Sequence, residues 1–535
     1  MRKLTHIITL IATVLLACNA HARTVEIKIS NCPKPYVENI RKMTSGLGAN
    51  DVLILNFDKT GKYEFDGSLK FRCNTTIKGV SSQNTRVILK EGFANGKSKM
   101  LDDAFFAVHG SSSKKVKAEV KDICFELASH KNILWEKAPK HIIKICYGDG
   151  VVIDNIVAKS QNATLTHVDL RDCSNAVVQN CEFENYNNSA MGGCLWSRGE
   201  QNNIQVVNNI FRKYGKDEAF GCWGGAYNRD FEIKNVTVEG NEFYLDNKTG
   251  IKLLELDNFL AFNHTYGEGA KTNCVLDNIY FKNNKIKINA PIKRIMILSL
   301  SKYATVNNLE ISNNEIICTS KSSSTDSFMN DFDIIAESLE NINISIKDNY
   351  IRTQNEVQGN NGHTFLSVRN ANLNVTNNII ENDYPQRLVW CHEGSMRLYL
   401  ENNDVTNVYT TSLSSSKALD DVSITAVNNT FSGDTRIYCR NVKNLSLTYK
   451  NNTFNSSNNH FFLQEGAEQN SITFEGNTVN AIAGKGLLFA NYGGTPFNFN
   501  NVTIANNNFN GVKTADITEP LKKARKLQIS GNIYR

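Results

Sequence analysis

One short pattern recurs through most of this 535-residue chain and narrows its fold more than any other feature. In Ile346-Lys-Asp-Asn349-Tyr-Ile351, Val375-Thr-Asn-Asn378-Ile-Ile380, Leu400-Glu-Asn-Asn403-Asp-Val405 and Ala426-Val-Asn-Asn429-Thr-Phe431, an apolar residue stands three before the Asn and another two after it. The frame extends back through Asn314, Asn284, Asn241 and Asn209 and forward through Asn452, Asn477, Asn507 and Asn532. Cys181 and Asn155 fill the Asn place in two further copies. Successive copies lie 23 to 43 residues apart. A period in this range marks stacked units, each able to bury its apolar face only against its neighbours. Flanking runs such as Leu309-Glu-Ile311 and Leu445-Ser-Leu447 alternate apolar with polar residues, which is the period of a strand. Asn tolerates the left-handed backbone of a tight bend. The spacing therefore predicts strands joined by Asn turns that align at one corner, coil upon coil, about 4.8 Å apart.

The pattern resembles the right-handed parallel β-helix of the pectate lyase and polygalacturonase superfamily. In that fold three short strands and three turns make a coil, and an Asn column commonly occupies the tight turn between the second and third strands. The resemblance covers nearly the whole mature chain and implies an all-β, single-stranded solenoid of about 14 coils. It speaks for fold and not for activity, since one scaffold hosts many chemistries.

The N-terminus reads as a targeting segment. Arg2 and Lys3 precede the apolar stretch Ile7 to Leu16, and Ala20-His21-Ala22 offers a small-x-small cleavage site, so residues 1–22 are expected to be a signal peptide and 23–535 one β-helix domain. Leu15-Leu16-Ala17-Cys18 offers an alternative, since it also resembles a bacterial lipobox with Cys18 as the lipid anchor. Either reading places the protein outside the cytoplasm: periplasmic, anchored at the outer membrane, or secreted. The apolar run falls short of the about 20 residues a spanning helix needs, so no spanning segment is expected. The formal charge of +6 becomes +4 without Arg2 and Lys3, and no basic or aromatic-plus-basic tract points to nucleic acid. A monomer is the expected state.

Thirteen cysteines invite a disulfide framework in an exported chain. Yet Cys194, Cys222, Cys391 and Cys439 sit inside apolar strand runs, where Cys acts as a small buried hydrophobe. Reduced core residues are expected, with any bridge near the N-terminal end, from Cys32 or Cys73. A capping segment is expected at about residues 33–48, where Pro35 starts a helix whose apolar face is Val37, Ile40 and Met43. Such a cap covers strand edges that would otherwise pair with other chains. Residues 93–122, with their lysines around Gly110-Ser-Ser-Ser113, read as a loop. So do an insertion near 258–274 and the polar run 320–326. Near the C-terminus, 516–525 suggests a short helix with Pro520 in its first turn.

The strand after each long loop forms a column whose outward positions suit a substrate groove. These positions bring together Trp196, Arg198, Asp217, Glu218, Trp223, Glu255, Asp257, Arg369, Trp390, His392 and Arg440. Phe211-Arg-Lys-Tyr-Gly-Lys-Asp217-Glu218 puts paired acids before an apolar strand, which resembles the acidic strand starts of glycan-active β-helices. A glycosidase needs two carboxylates, one acid and one base or nucleophile. Asp217 and Glu218 cannot both face outward on a regular strand, so Glu255 or Asp257 from the next coil completes the pair. A lyase would instead neutralise a uronate with Ca²⁺ or with Arg198, Arg369 and Arg440, and take its proton with His392 or Lys252. Calcium is permitted, with the four acids as oxygen ligands, but no cofactor is demanded. Trp196, Trp223 and Trp390 share the column, and indole faces dock the C–H faces of sugars. The expected function is to bind, and in the enzymatic form to cleave by hydrolysis or elimination, an extended polysaccharide; an epimerase on such polymers fits the same residues. The alternative is a non-catalytic adhesin or structural envelope β-helix.

Overall fold

A computed structural model of the chain describes residues 22–89, 104–127, 140–161, 166–186, 193–214, 218–223, 230–246, 256–263, 273–290, 292–300, 304–319, 329–336, 342–354, 363–384, 386–413, 419–433, 437–440, 442–456, 462–465, 469–480, 489–491 and 500–535. Its strands pair in parallel and wind into three columns, A, B and C. Column A runs from Thr24–Lys28 and Val52–Asn56 to Asn501–Ala505 and Lys526–Ser530. Column B runs from Gly61–Phe65 and Thr85–Leu89 to Asn508–Asn510 and Ile533–Tyr534. Column C runs from Leu69–Phe71 and Ala104–His109 to Phe462–Glu465 and Phe489–Asn491. The chain is a right-handed parallel β-helix.

Column A joins eighteen strands, more than the about 14 coils that the Asn motif marks. The difference lies at the N-terminal end, where Ile123 and Ile156 hold the corner that Asn holds later. Strand Ala104–His109 and the first part of strand Val116–Leu127 also lie within 93–122, where the charge pattern suggests only loop. Ala104-Phe-Phe-Ala-Val108 is buried on both faces and so lacks the alternation that marks a half-exposed strand. Strand Leu256–Asn263 similarly occupies part of the 258–274 insertion, and 320–326 lies outside the described residues.

Both apolar positions of the repeat point inward, as Ile346 and Ile351 show. Where they are aromatic they stack along the axis, within the separations that favour ring pairs. Phe183, Phe211 and Phe243 follow at 5.2 and 4.6 Å. Phe431, Phe454, Phe474 and Phe509 follow at 5.2, 5.7 and 6.2 Å.

The recurring Asn lies between columns A and B, the turn between the second and third strands when each coil is counted from column C. Its role differs from a left-handed turn residue. The positive φ belongs to the preceding residue, as at Asn208, Gly240, Asn283, Asn377, Asn402 and Asn428, while the motif Asn itself is buried. Each motif Asn donates both its backbone N–H and its Nδ2 to Oδ1 of the Asn one coil on. Asn378 does so to Asn403 at 2.9 and 3.0 Å, and its Nδ2 also donates to Ile346 O in the coil behind at 2.9 Å. This ladder is unbroken from Asn209 to Asn532. Cys181 precedes it and donates its backbone N–H to Asn209 Oδ1 at 2.9 Å. Asn155 does not belong to it: Asn155 is a left-handed residue at φ 50°, and Ile156 occupies the inner place.

The N-terminal helix spans Tyr36–Thr44, directly after Pro35. It buries Val37 and Ile40 and sets Tyr36 5.4 Å from Phe65, but Met43 is 47% exposed, so the apolar face is one turn shorter than the sequence suggests. The C-terminal helix is Thr514–Leu521, which puts Pro520 near its end and not in its first turn. It buries Ile517 and Leu521 and leaves Leu527 and Ile533 of the last coil exposed. The eleven cysteines whose side chains are described are buried and none forms a disulfide, Cys32 and Cys73 among them. Burial pushes the Cys222 and Cys391 thiols up to about 12. Among the described residues no helix is long and apolar enough to cross a membrane.

Candidate functional site

Column C aligns its outward residues in two adjacent rows. One row runs Asp169, Trp196, Gly221, Ala261, Ile297, Asp333, Ser367, Trp390. Two residues further along each strand, the second runs Arg171, Arg198, Trp223, Asn263, Ser299, Ile335, Arg369. The register therefore places Trp196 and Trp390 in one row and the backbone of Trp223 in the row beside it. Six rungs separate Trp196 from Trp390, however, so at about 4.8 Å per rung they stand roughly 29 Å apart. They belong to two centres.

The first centre forms around Asp169, which is fully buried. Strand Thr166–Arg171 alternates core residues Val168 and Leu170 with outward Asp169 and Arg171. On the next rung Arg198 donates from Nε to Asp169 Oδ1 at 2.7 Å and from Nη2 to Oδ2, the two-point grip that fits guanidinium to carboxylate. Arg171 Nη2 lies 3.8 Å and His141 Nε2 3.4 Å from Asp169 Oδ2. Burial pushes the His141 imidazole down to about 3 against the pull of Asp169, so it is neutral at pH 7. Burial opposes the charge on Asp169 as well, but the neighbouring Arg198 and Arg171 hold its carboxyl well below the usual range. A carboxylate held in this way does not donate a proton near neutrality. Its work is to fix Arg198.

Arg198 in turn covers Trp196, with its guanidinium carbon 4.9 Å from the ring centroid. His141 meets the same indole edge-on at 6.0 Å. Gly193 makes room for it: a Cβ there would stand 2.5 Å from Trp196 Nε1 and 2.8 Å from Glu218 O. The result is a half-buried indole beside an immobilised guanidinium.

The second centre gathers the same kinds of group but divides them between two arginines, one held by the buried Asp and another over the indole. Asp333 accepts from Arg294 Nε at 2.5 Å and from Ser367 Oγ at 2.8 Å. Trp390 stands on the rung after Ser367, with the Arg387 guanidinium 5.0 Å from its ring. Asp331 lies 2.8 Å from His363 Nε2, and Asn382 Nδ2 lies 2.6 Å from His363 Nδ1, so this histidine is a satisfied interior group.

The remaining expected residues fall as follows. Glu218 is only 5% exposed, just before Ala219 and strand Phe220–Trp223. Asp217 and Glu255 lie outside the described residues. Asp257, Trp223 and Arg440 are placed by their backbones in Leu256–Asn263, Phe220–Trp223 and Ile437–Arg440, and their side chains lie outside the described residues. His392 is likewise placed by backbone alone, as the extra residue of a bulge between Cys391 and Glu393. Arg369 is half-buried and pairs in register with Ile335 and Glu393. Among the described residues no three metal-ligating side chains gather.

Sequence reasoning missed Asp169, Arg171, His141, Asp333 and Arg294. A signal existed in Val168-Asp-Leu-Arg171, which alternates like its neighbours and carries opposite charges at outward phases. A separate depression of about 280 Å³ lies on column A, away from both centres.

No family model and no curated protein matches the chain. Solved structures are similar in fold. A phage HK620 tailspike mutant in complex with a pentasaccharide aligns at TM-score 0.39 and 11% identity, over 77% of this chain and 74% of that one. The catalytic unit of a Streptomyces thermodiastaticus GH87 α-1,3-glucanase aligns at 0.37 and 14%, over 86% and 69%. A family 28 exopolygalacturonase from Yersinia enterocolitica aligns at 0.37 and 10%, over 92% and 79%.

Proposed function

We propose that this protein is exported and engages a polysaccharide along the outward face of column C. The observation that carries the reading is the pairing, at two places on one face, of an indole with a guanidinium, each beside a buried Asp that anchors an arginine. Indole faces take the apolar faces of sugars, and fixed guanidinium groups take hydroxyl or acidic oxygens. Two such centres on one rigid column suit a chain longer than a single sugar. Cleavage, in this reading, falls to Glu218 with Asp217, Glu255 and Asp257, because Asp169 and Asp333 are engaged in ion pairs. Export rests on the N-terminal signal pattern, with residues 1–22 removed or Cys18 lipidated.

The test is a screen of the full mature chain against plant, host and microbial polysaccharides, with and without Ca²⁺, following binding, reducing ends and unsaturated uronate together. Binding that Trp196→Ala weakens at least tenfold is the expected result. Reducing ends without the ultraviolet signal identify a hydrolase, and both together a lyase. Binding unchanged by Trp196→Ala and by Trp390→Ala overturns the site.

A further inference from the structure

The depression on column A sits where its outward surface changes character. In earlier coils that surface is closed by ion pairs between rungs, such as Lys282 with Glu239 at 3.4 Å and Lys347 with Glu310 at 3.0 Å. From Arg397 onward one row of this face turns small and uncharged, while ion pairs between rungs persist at its edge, as between Lys450 and Glu475 at 3.3 Å. Register places Arg397, Ser423, Ser446, Ser471 and Asn501 in one row along the axis. The parallel row two residues on is Thr425, Thr448, Thr473 and Thr503. Three consecutive serines sink the floor between the longer Arg397 and Asn501, and the depression of about 280 Å³ occupies that stretch.

We propose that this stretch is a second binding site, for an extended neutral glycan lying along the solenoid axis. The hydroxyls of Ser423, Ser446 and Ser471 make no hydrogen bond to another described residue, although each can donate one and accept two. Asp421 accepts from Asn444 Nδ2 at 2.7 Å, which leaves that carboxylate further lone pairs toward the floor. Arg397 at one end supplies donors only. Within this lining one carboxylate balances one guanidinium, so the surface carries no net charge to select an anionic polymer. Rungs recur about every 4.8 Å, close to the advance of one sugar unit in an extended chain. Each successive sugar therefore meets the same hydroxyl pair. Four rung steps from Arg397 to Asn501 give roughly 19 Å. The site stands apart from the tryptophan centres of column C and does not depend on them.

The test titrates linear neutral hexasaccharides of glucose, mannose and N-acetylglucosamine, and hexagalacturonate as the anionic control, against the full chain. Ser446→Trp fills the middle of the floor from an exposed position, and Ser423→Trp is the independent second filling, each checked for an unchanged unfolding midpoint. At least one neutral hexasaccharide should bind the wild-type chain and bind both filled variants tenfold or more weakly. The proposal is overturned if no neutral hexasaccharide binding responds to either filling, or if only hexagalacturonate does. Binding lost in Trp196→Ala and kept in both fillings also overturns it, while supporting the column C reading.

Discussion

Asp169 shows how a single side chain can matter without being reactive. It is buried, gripped by Arg198 at two points, and 29 residues away from it in sequence. Removing one partner of a buried ion pair leaves the other uncompensated, a loss of about 3–5 kcal/mol. Asp169→Asn should lower stability by that order in urea unfolding and should weaken glycan binding together with Arg198→Ala. The pH response follows from the buried histidines. His141 and His167 are both pushed down to about 3 by burial, whereas in the unfolded chain they titrate near the usual value of about 6.5. Between those values the unfolded state binds the extra protons, so stability falls as pH drops below about 6.5, by about 1.4 kcal/mol per pH unit for each histidine. Below about pH 4 the protonation of Asp169 adds to the loss, because its folded carboxyl is depressed. Urea midpoints should therefore fall from pH 7 to pH 5, and His167→Gln should reduce that slope. Trp196 and Arg198 were legible because alternation fixes the face a strand residue takes. Asp169 was not, because a search for paired carboxylates overlooks an acid whose partner is an arginine one coil later.

A coil corner is specified by two adjacent residues with opposite tasks. At the corner of Asn377 and Asn378, the first bends the chain at φ 56° and the second carries the buried ladder. Asn378→Ala removes the acceptor that serves both Asn349 N at 3.0 Å and Asn349 Nδ2 at 2.9 Å. Each buried donor left without a partner costs about 1–3 kcal/mol. Asn377→Gly keeps the left-handed bend and should stay within about 0.5 kcal/mol, while Asn377→Val should cost about 1–2 kcal/mol. Urea unfolding of the three variants distinguishes the two roles. The period, the strands and the corner were all legible, since the apolar residues three before and two after each Asn mark the core unambiguously. Which residue of the corner bends and which turns inward was not: the frame reads Asn155 as a motif residue, whereas Asn155 is the left-handed bend and Ile156 turns inward. An Asn suits either task, and only contact with the neighbouring coil decides.

The molecule as a whole is stabilised coil against coil, so its two ends differ from its middle. The helix Tyr36–Thr44 closes one end, whereas the last strands leave Leu527 and Ile533 exposed. Amide protons of Lys526–Ser530 should exchange with solvent much faster than those of Ile342–Lys347, because an end coil opens without disturbing two neighbours. Similar protection at both would show that the last coil is held by something beyond its single partner. The repeated interior was read correctly from sequence because every coil meets the same physical demand. The early strands and the insertions escaped because they answer local demands: Ala104–His109 is buried on both faces, and segments between coils are free to vary in length. The asparagine ladder makes the interior modular in a strict sense. Every rung presents two donors ahead and one acceptor behind, identical to those of the rungs around it. A coil gained or lost by a change in the gene would therefore find its hydrogen bonds waiting, and the length of such a molecule can evolve by counting, without any change of shape.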